Sequence, residues 1–415
     1  MDQAIGLALQ NNEQVQIAAL DIQKNEHAAS AQRTRRLPSF NVSALAAQLL
    51  SPVDAHFDRG AFGTYAGVGP IPSQDTDVRT PRKLTSVLNG QLSQPLTQLH
   101  RIKLGIRMRD AITASSREAL RGQQQAVIAQ VKQSYYQLLQ IQSALDANEE
   151  ALTFDRELER TVANDVTQQV ALEADLVQVK AQLAQQEYET LTLRDSFATT
   201  QDQLNRLMGR DVRTEFRVSA VPETPALEQD LAALQKLALE QRPELREAKL
   251  KVTQATYDHE ITKTQYTPDI SLGLQYAKPY NVDVAPDKFF SIGIQLTWEP
   301  WDWGRRREEL AEKRKVIEQT RKTAHDTQAQ VLIDVNTQFR NLREAQERVR
   351  VTQALQAAHR EKTRVILNQY TQKAALLKDV LQERSTLADA NHQYKEALLL
   401  FATAQAGLEK ALGVN

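Results

Sequence analysis

The side chains able to do chemistry are few in this chain, and their spacing argues against catalysis. No cysteine occurs among the 415 residues, so structural disulfides and thiolate metal sites are excluded. The seven histidines stand at 27, 56, 100, 259, 325, 359 and 392, and none has a second ligand-type residue at a metal-binding i, i+4 spacing on a buried face. His56, with Asp54 and Asp58 beside it in a Gly-rich stretch, could touch a metal; a solvated loop explains the same residues. No phosphate-binding loop or nucleophile elbow is present, and the three methionines are dispersed. No catalytic residue, cofactor or metal is expected. With 51 basic and 52 acidic residues the net charge is -1, which offers nucleic acid no electrostatic footing.

The one conspicuous cluster is aromatic. All three tryptophans, Trp298, Trp301 and Trp303, precede Arg305-Arg306-Arg307, a grouping that suits the interface between a membrane and water. No run of 18 apolar residues exists, so a transmembrane helix is excluded. Strands remain. Ile270, Leu272, Leu274 and Tyr276 alternate with Asp269, Ser271, Gly273 and Gln275, and Phe290, Ile292, Ile294 and Leu296 alternate with Ser291, Gly293, Gln295 and Thr297. One face is greasy and the other polar. Weaker alternation runs through Phe40, Val42 and Ala44, and through Leu84, Leu88 and Leu92. Each segment is about ten residues long, enough to cross a bilayer as a tilted strand. Taken alone, such segments also fit an amphipathic hairpin packed on helices.

Long helices must position these strands. Residues 123–208 and 305–406 contain neither proline nor glycine, and only helices accommodate such runs economically. In the last of them Val380, Glu383, Leu387, Ala390, Tyr394, Ala397, Phe401, Ala404, Leu408 and Ala411 recur in steps of three and four, which keeps one seam facing a partner helix. Leu172, Leu176, Val179, Leu183, Leu193, Phe197, Leu204 and Leu207 form the matching seam of the first half.

The halves are copies. Leu7-Ala8-Leu9 recurs as Leu237-Ala238-Leu239 and Pro38 as Pro268; Phe197, Leu204 and Gly209 recur as Phe401, Leu408 and Gly413. A period this long is a duplicated domain rather than a solenoid. The first repeat is expected over 1–209, with strands at about 39–48 and 84–94; a linker over 210–230; and the second repeat over 231–415, with strands at about 269–277 and 289–299. Each opens with a helix and closes with a helical hairpin, whose first arm, 98–166 or 303–370, extends about 100 Å at about 1.5 Å per residue. No signal peptide is visible after Met1, so the sequence reads as cytosolic or as a mature export product given a start methionine.

Taken together, these residues resemble the TolC-type outer membrane efflux proteins along essentially the whole chain. The first helix of each repeat leads through Leu37-Pro38 or Thr267-Pro268 into a strand, and the Pro-aromatic-Asp-x-Gly turn of that family stands as Pro300-Trp301-Asp302-Trp303-Gly304. The other copy, Pro95-Leu96-Thr97-Gln98-Leu99, lacks the Asp and Gly. Of the tip motif Tyr-x-x-Gly-x-x-Ser-x-x-Asp-Val-Leu, one hairpin keeps Tyr370, Asp379, Val380 and Leu381, and the other keeps Asp175-Leu176. Gln169 and Lys373 replace the glycine, Leu172 and Leu376 the serine, Ala375 a gate arginine, and Gln382 a second constriction aspartate.

The resemblance implies a mainly α protein with a small β-barrel. It would be a homotrimer in which duplicated long helical hairpins form an α-barrel and four transmembrane strands per chain close a 12-stranded β-barrel in outer membrane lipid. Residues 51–83 become a long extracellular loop, 278–288 a short one, and 210–230, with Pro222 and Pro225, part of an equatorial girdle. The implied protein is a passive conduit, located in the bacterial outer membrane and spanning into the periplasm, that receives substrate from a periplasmic adaptor and an inner membrane pump for efflux or type I secretion. Asp379 takes the place of a pore-constriction aspartate, although a solvated acid near a helix N-terminus would look the same. Asp175 and Tyr370 take gate positions that tie the closed tip, and Trp298, Trp301 and Trp303 mark the membrane interface. The alternative, a soluble coiled-coil scaffold, explains the seams but not four alternating segments at matched places.

Overall fold

A computed structural model describes residues 1–80, 83–169, 172–219, 230–282, 287–372, 374–375 and 377–414. The first half runs α1 (Asp2–Asn11), α2 (Glu13–Thr34), β1 (Ser39–Gln48), β2 (Val53–Phe57), β3 (Thr64–Tyr65), β4 (Gly69–Pro70), β5 (Thr76–Thr80), β6 (Leu84–Pro95), α3 (Gln98–Thr167) and α4 (Glu173–Leu207). The second runs α5 (Leu231–Gln241), α6 (Pro243–Lys263), a 3-10 turn (Thr264–Tyr266), β7 (Asp269–Tyr280), β8 (Phe289–Thr297), α7 (Arg305–Thr371) and α8 (Leu377–Leu412). Two compact units draw on both halves: one comprises Met1–Lys24, Thr113–Val252 and Gln319–Asn415, the other Asn25–Ile112 and Thr253–Glu318.

The helix expected to open each half is in fact two helices, for a different local reason each time. Asn12 caps α2 with its own side chain, Oδ1 accepting the N–H groups of Gln14 at 3.0 Å and Val15 at 3.3 Å. In the second half Pro243 begins α6, and Arg242 before it is extended at φ -60, ψ 122, as a residue preceding proline prefers. Both break residues reach the end of their repeat's last helix: Asn12 Nδ2 donates to the Leu207 carbonyl at 2.9 Å, and Arg242 Nη1 to the Lys410 carbonyl at 3.1 Å. Those helices end in left-handed glycines, Gly209 at φ 64 and Gly413 at φ 73. Glycine is needed at the first for space as well, because a Cβ on Gly209 would lie 2.3 Å from the Asn11 carbonyl oxygen.

In this helical unit the seams turn inward, apart from Leu172 at the hairpin tip, which is 70 % exposed, and the duplicated positions occupy duplicated cores. Ala8, Val131, Leu138 and Leu204 are buried in one cluster, while their counterparts Ala238, Val335, Leu342 and Leu408 are buried in the other. Such burial contributes about 1.5–3 kcal/mol per large apolar side chain. After Gly209 the chain is clamped to these helices. Asn205, fully buried, donates to the carbonyls of Val212 at 2.7 Å and Thr214 at 2.8 Å, and the Tyr135 hydroxyl donates to the Ser219 carbonyl at 2.9 Å. Pro222 and Pro225 lie outside the described residues.

The second unit carries an antiparallel sheet of order β1-β6-β7-β8. Its register pairs Phe40 with Leu92, Leu92 with Leu274 and Leu274 with Ile292, so the greasy residues of all four strands share one face. β7 continues to Tyr280, three residues beyond the expected end, because its outer residues pair with β6 at Ser86–Leu88. β8 stops at Thr297 instead of 299. The stretch expected as a long loop, 51–83, contains a β2–β5 ladder and a smaller β3–β4 ladder.

Candidate functional site

Two places carry the residues singled out by sequence: the hairpin tips and the sheet with its flanking turns. At the first tip α3 ends at Thr167, and Gln169 adopts the left-handed conformation, φ 60, at the position where the related motif has glycine. The hairpin thus keeps the turn without the residue best suited to it, at a cost of about 1–2 kcal/mol. Asp175, in the first turn of α4, is exposed and bonds locally, its carboxylate accepting the Leu172 N–H at 3.2 Å. At the second tip Asp379 is exposed in the first turn of α8. Tyr370 is the penultimate residue of α7; its side chain lies outside the described residues, as do Lys373 and Leu376.

One turn beyond Asp379 sits a group that the motif comparison missed. Glu383 is 3 % exposed, packed between α7 and α8. Its Oε1 accepts from His359 Nδ1 at 2.9 Å and its Oε2 from Lys362 Nζ at 2.6 Å. The Lys362 bond first, then that of His359, outweigh burial and hold the carboxyl below the usual glutamate range. A charged residue within an otherwise apolar seam was the available signal. The first hairpin places Asp155, which is buried, where the second has the half-buried His359, 204 positions later. Burial pushes the Asp155 carboxyl up, against a 3.2 Å bond from Gln182 Nε2.

The Trp-rich turn is organised by Asp302. Its carboxylate accepts the N–H groups of Gly304 at 3.1 Å and Arg306 at 3.0 Å, fastening the start of α7. Burial would raise this carboxyl, but those two N–H groups and the Arg306 and Arg305 charges together hold it low. The arginine run is largely neutralised: Glu299 Oε2 meets Arg305 Nη2 at 2.7 Å and Arg306 Nη2 at 2.8 Å. Trp298, Trp301 and Trp303 all project outward, with Trp303 89 % exposed, and Trp301 and Trp303 touch edge to face at 5.8 Å. Phe40, Val42, Leu45, Phe290, Ile292, Ile294 and Leu296 on the sheet are exposed as well, far more apolar surface than water tolerates.

His56 lies on the β2–β5 ladder rather than in an open loop. Its Nδ1 is 2.6 Å from its cross-strand partner Asp77 and its Nε2 3.4 Å from Asp58, while Asp54 pairs with Arg79 at 3.2 Å. The Asp77 bond raises the His56 pKa. No metal-ligating group of three or more His, Cys, Asp or Glu occurs among the described residues, and no described helix is long and apolar enough to cross a membrane.

Long helical hairpins joined to a four-stranded sheet with an exposed greasy face define the class of outer membrane channel folds. The family model described as outer membrane efflux protein matches residues 4–210 and 234–414, and the chain belongs to that family. No curated protein matches the chain. Among solved structures it is similar to the Campylobacter jejuni CmeC outer membrane channel, with a TM-score of 0.81 at 16% identity over 99% of this chain and 85% of that one. It is also similar to the open state of the Neisseria gonorrhoeae MtrE outer membrane channel, at 0.77 and 15% over 99% and 88%. The Vibrio cholerae outer membrane protein VceC gives 0.76 and 15% over 100% and 96%. At such identities the likeness is one of fold. That fold and the family are those of channels, and the family places the protein in the outer membrane.

Proposed function

We propose that three copies of this chain form the outer membrane channel of a tripartite efflux or type I secretion system. The observation that carries this reading is the sheet: four strands, one apolar face exposed, and unpaired backbone along both edge strands, β1 and β8. In lipid an open edge leaves N–H and C=O groups without partners at several kcal/mol each, so the sheet must close. Pairing β8 of one copy with β1 of the next closes it, and three copies make 12 strands, within the range of known barrels. The 1–209 and 231–415 repeats then supply the hairpins of an α-barrel reaching into the periplasm, joined by the 210–230 linker. A periplasmic adaptor and an inner membrane pump would deliver substrate, and the channel itself would do no chemistry. A soluble scaffold has no use for the exposed apolar face.

Within that assembly three Asp379 carboxylates surround the threefold axis as a cation-selective constriction. Tyr370 donates to Asp175 across the closed tip, and the three tryptophans lie at the periplasmic headgroup level of the membrane. Molar mass in detergent, corrected for bound detergent, tests the proposal. Three times the 46.8 kDa chain is expected, and a monomer with its full strand content would refute it.

A further inference from the structure

The apolar face of the sheet is interrupted by charge at one end only. Lys278 is on β7 in step with Ile270, Leu272, Leu274 and Tyr276, and it pairs with Leu88 of β6. The β7–β8 ladder ends with Ala277 opposite Phe289, so continuing the register by one residue sets Lys278 opposite Lys288, on the same face. Like charges placed directly across a ladder repel. Tyr280, again on this face, lies beneath the Lys278 ammonium, which is 4.8 Å from the ring centroid. Neither lysine forms an ion pair among the described residues.

The height of this pair on the sheet is informative. Asp269 begins β7 opposite Thr297, beside the tryptophan turn. The path to Lys278 is about 30 Å at about 3.3 Å per residue, and a strand tilt of about 40° reduces it to about 23 Å of depth, close to the apolar band of about 25 Å seen in barrels. Lys278 and Lys288 therefore stand at the far rim of the greasy band. There the long side chains can lift their ammonium groups to the headgroups while the stems stay in the apolar layer.

We propose that Lys278, Lys288 and Tyr280 form a binding site for the phosphate of an anionic outer-leaflet lipid, a reading that rests on the membrane channel proposed above. One phosphate between the two ammonium groups turns their repulsion into two charge-assisted contacts. The surface below, Leu88, Tyr276 and Phe290, lines an apolar depression of about 450 Å³ on this face. That depression suits acyl chains and selects a lipid over free phosphate.

The test uses the full chain inserted into phosphatidylcholine vesicles carrying a small fraction of lipid A, with lipid retention read by native mass spectrometry. The Lys278→Gln, Lys288→Gln double variant is expected to retain about tenfold less lipid A than the unaltered chain, and Lys278→Arg with Lys288→Arg to retain it. Equal retention in the glutamine variant would overturn the site. Displacement of lipid A by millimolar inorganic phosphate would show that the phosphate alone is recognised and overturn the lipid assignment. Insertion is scored separately by flotation, so a chain that never enters the bilayer would overturn the channel reading itself, and this site with it.

Discussion

Glu383 offers a sharp test of how the second hairpin is held, because its partners differ so much in exposure. The carboxylate is buried, whereas Lys362 is 60% and His359 27% exposed at the side chain. In Glu383→Gln the carboxylate goes and both partners rehydrate easily. Two charge-assisted hydrogen bonds would ordinarily be worth about 1.5–3 kcal/mol each, but mobile, solvated partners bring the total down to about 1–2 kcal/mol. Removing both partners instead, His359→Ala with Lys362→Ala, strands a buried carboxylate at about 3–5 kcal/mol. The double variant should therefore be the less stable of the two at neutral pH, by about 2 kcal/mol in urea unfolding followed by a probe on the hairpin. The pH dependence has a definite sign. Glu383 is depressed in the folded chain, so its contribution is present above the ordinary glutamate pKa and is lost as pH falls through the folded value. The deficit of the double variant should accordingly shrink in acid, where its carboxyl protonates. A Glu383→Gln variant that costs as much as the double one, or a gap independent of pH, would show that the cluster is solvated and does not hold the hairpin.

Other expectations concern permeation and packing. If Asp379 lines the constriction, Asp379→Ala should weaken block by multivalent cations added from the periplasmic side by an order of magnitude or more, since each lost carboxylate removes about 1 kcal/mol; unchanged block in planar bilayers would leave it a solvated acid. If Tyr370 donates to Asp175 as proposed, Tyr370→Phe should raise the conductance of the isolated channel, and Asp175→Ala added to it should open the tip little further, because both would cut one bond of about 1.5–3 kcal/mol. Full additivity in single-channel recordings would mean separate ties. Gly209→Ala should destabilise by about 2–4 kcal/mol, combining left-handed strain with backbone overlap. Gly413→Ala, whose nearest backbone atoms are 3.1 Å away, should cost less, and the reverse order in denaturant melts would contradict the packing described at the helix breaks.

How much of this was legible in the sequence depends on the range of the interaction responsible. A helical or strand period is set by a residue and its near neighbours, so the long arms were readable to within a residue or two. The arms expected at 98–166 and 303–370 are Gln98–Thr167 and Arg305–Thr371. Duplication told which positions share an environment, and Ala8 with Ala238, or Leu204 with Leu408, are buried as pairs. Asp302 and Gly304 could be read as a turn because their bonds reach only a few residues.

What the sequence could not decide was pairing between distant segments. β7 outruns its own alternating pattern because β6, more than 180 residues earlier in the chain, supplies partners as far as Tyr280. Glu383 looks like a fault in its seam until the α7 residues His359 and Lys362 are placed against it. Lys278 and Lys288 are unremarkable in composition, and only the register of the ladder, continued one residue past Ala277 and Phe289, sets them on one face. The helix break at Asn12 needs the Leu207 carbonyl as well as the local cap. Each residue's own preference is written along the chain, but the partner that completes its hydrogen bonds or balances its charge arrives only when the chain folds back on itself.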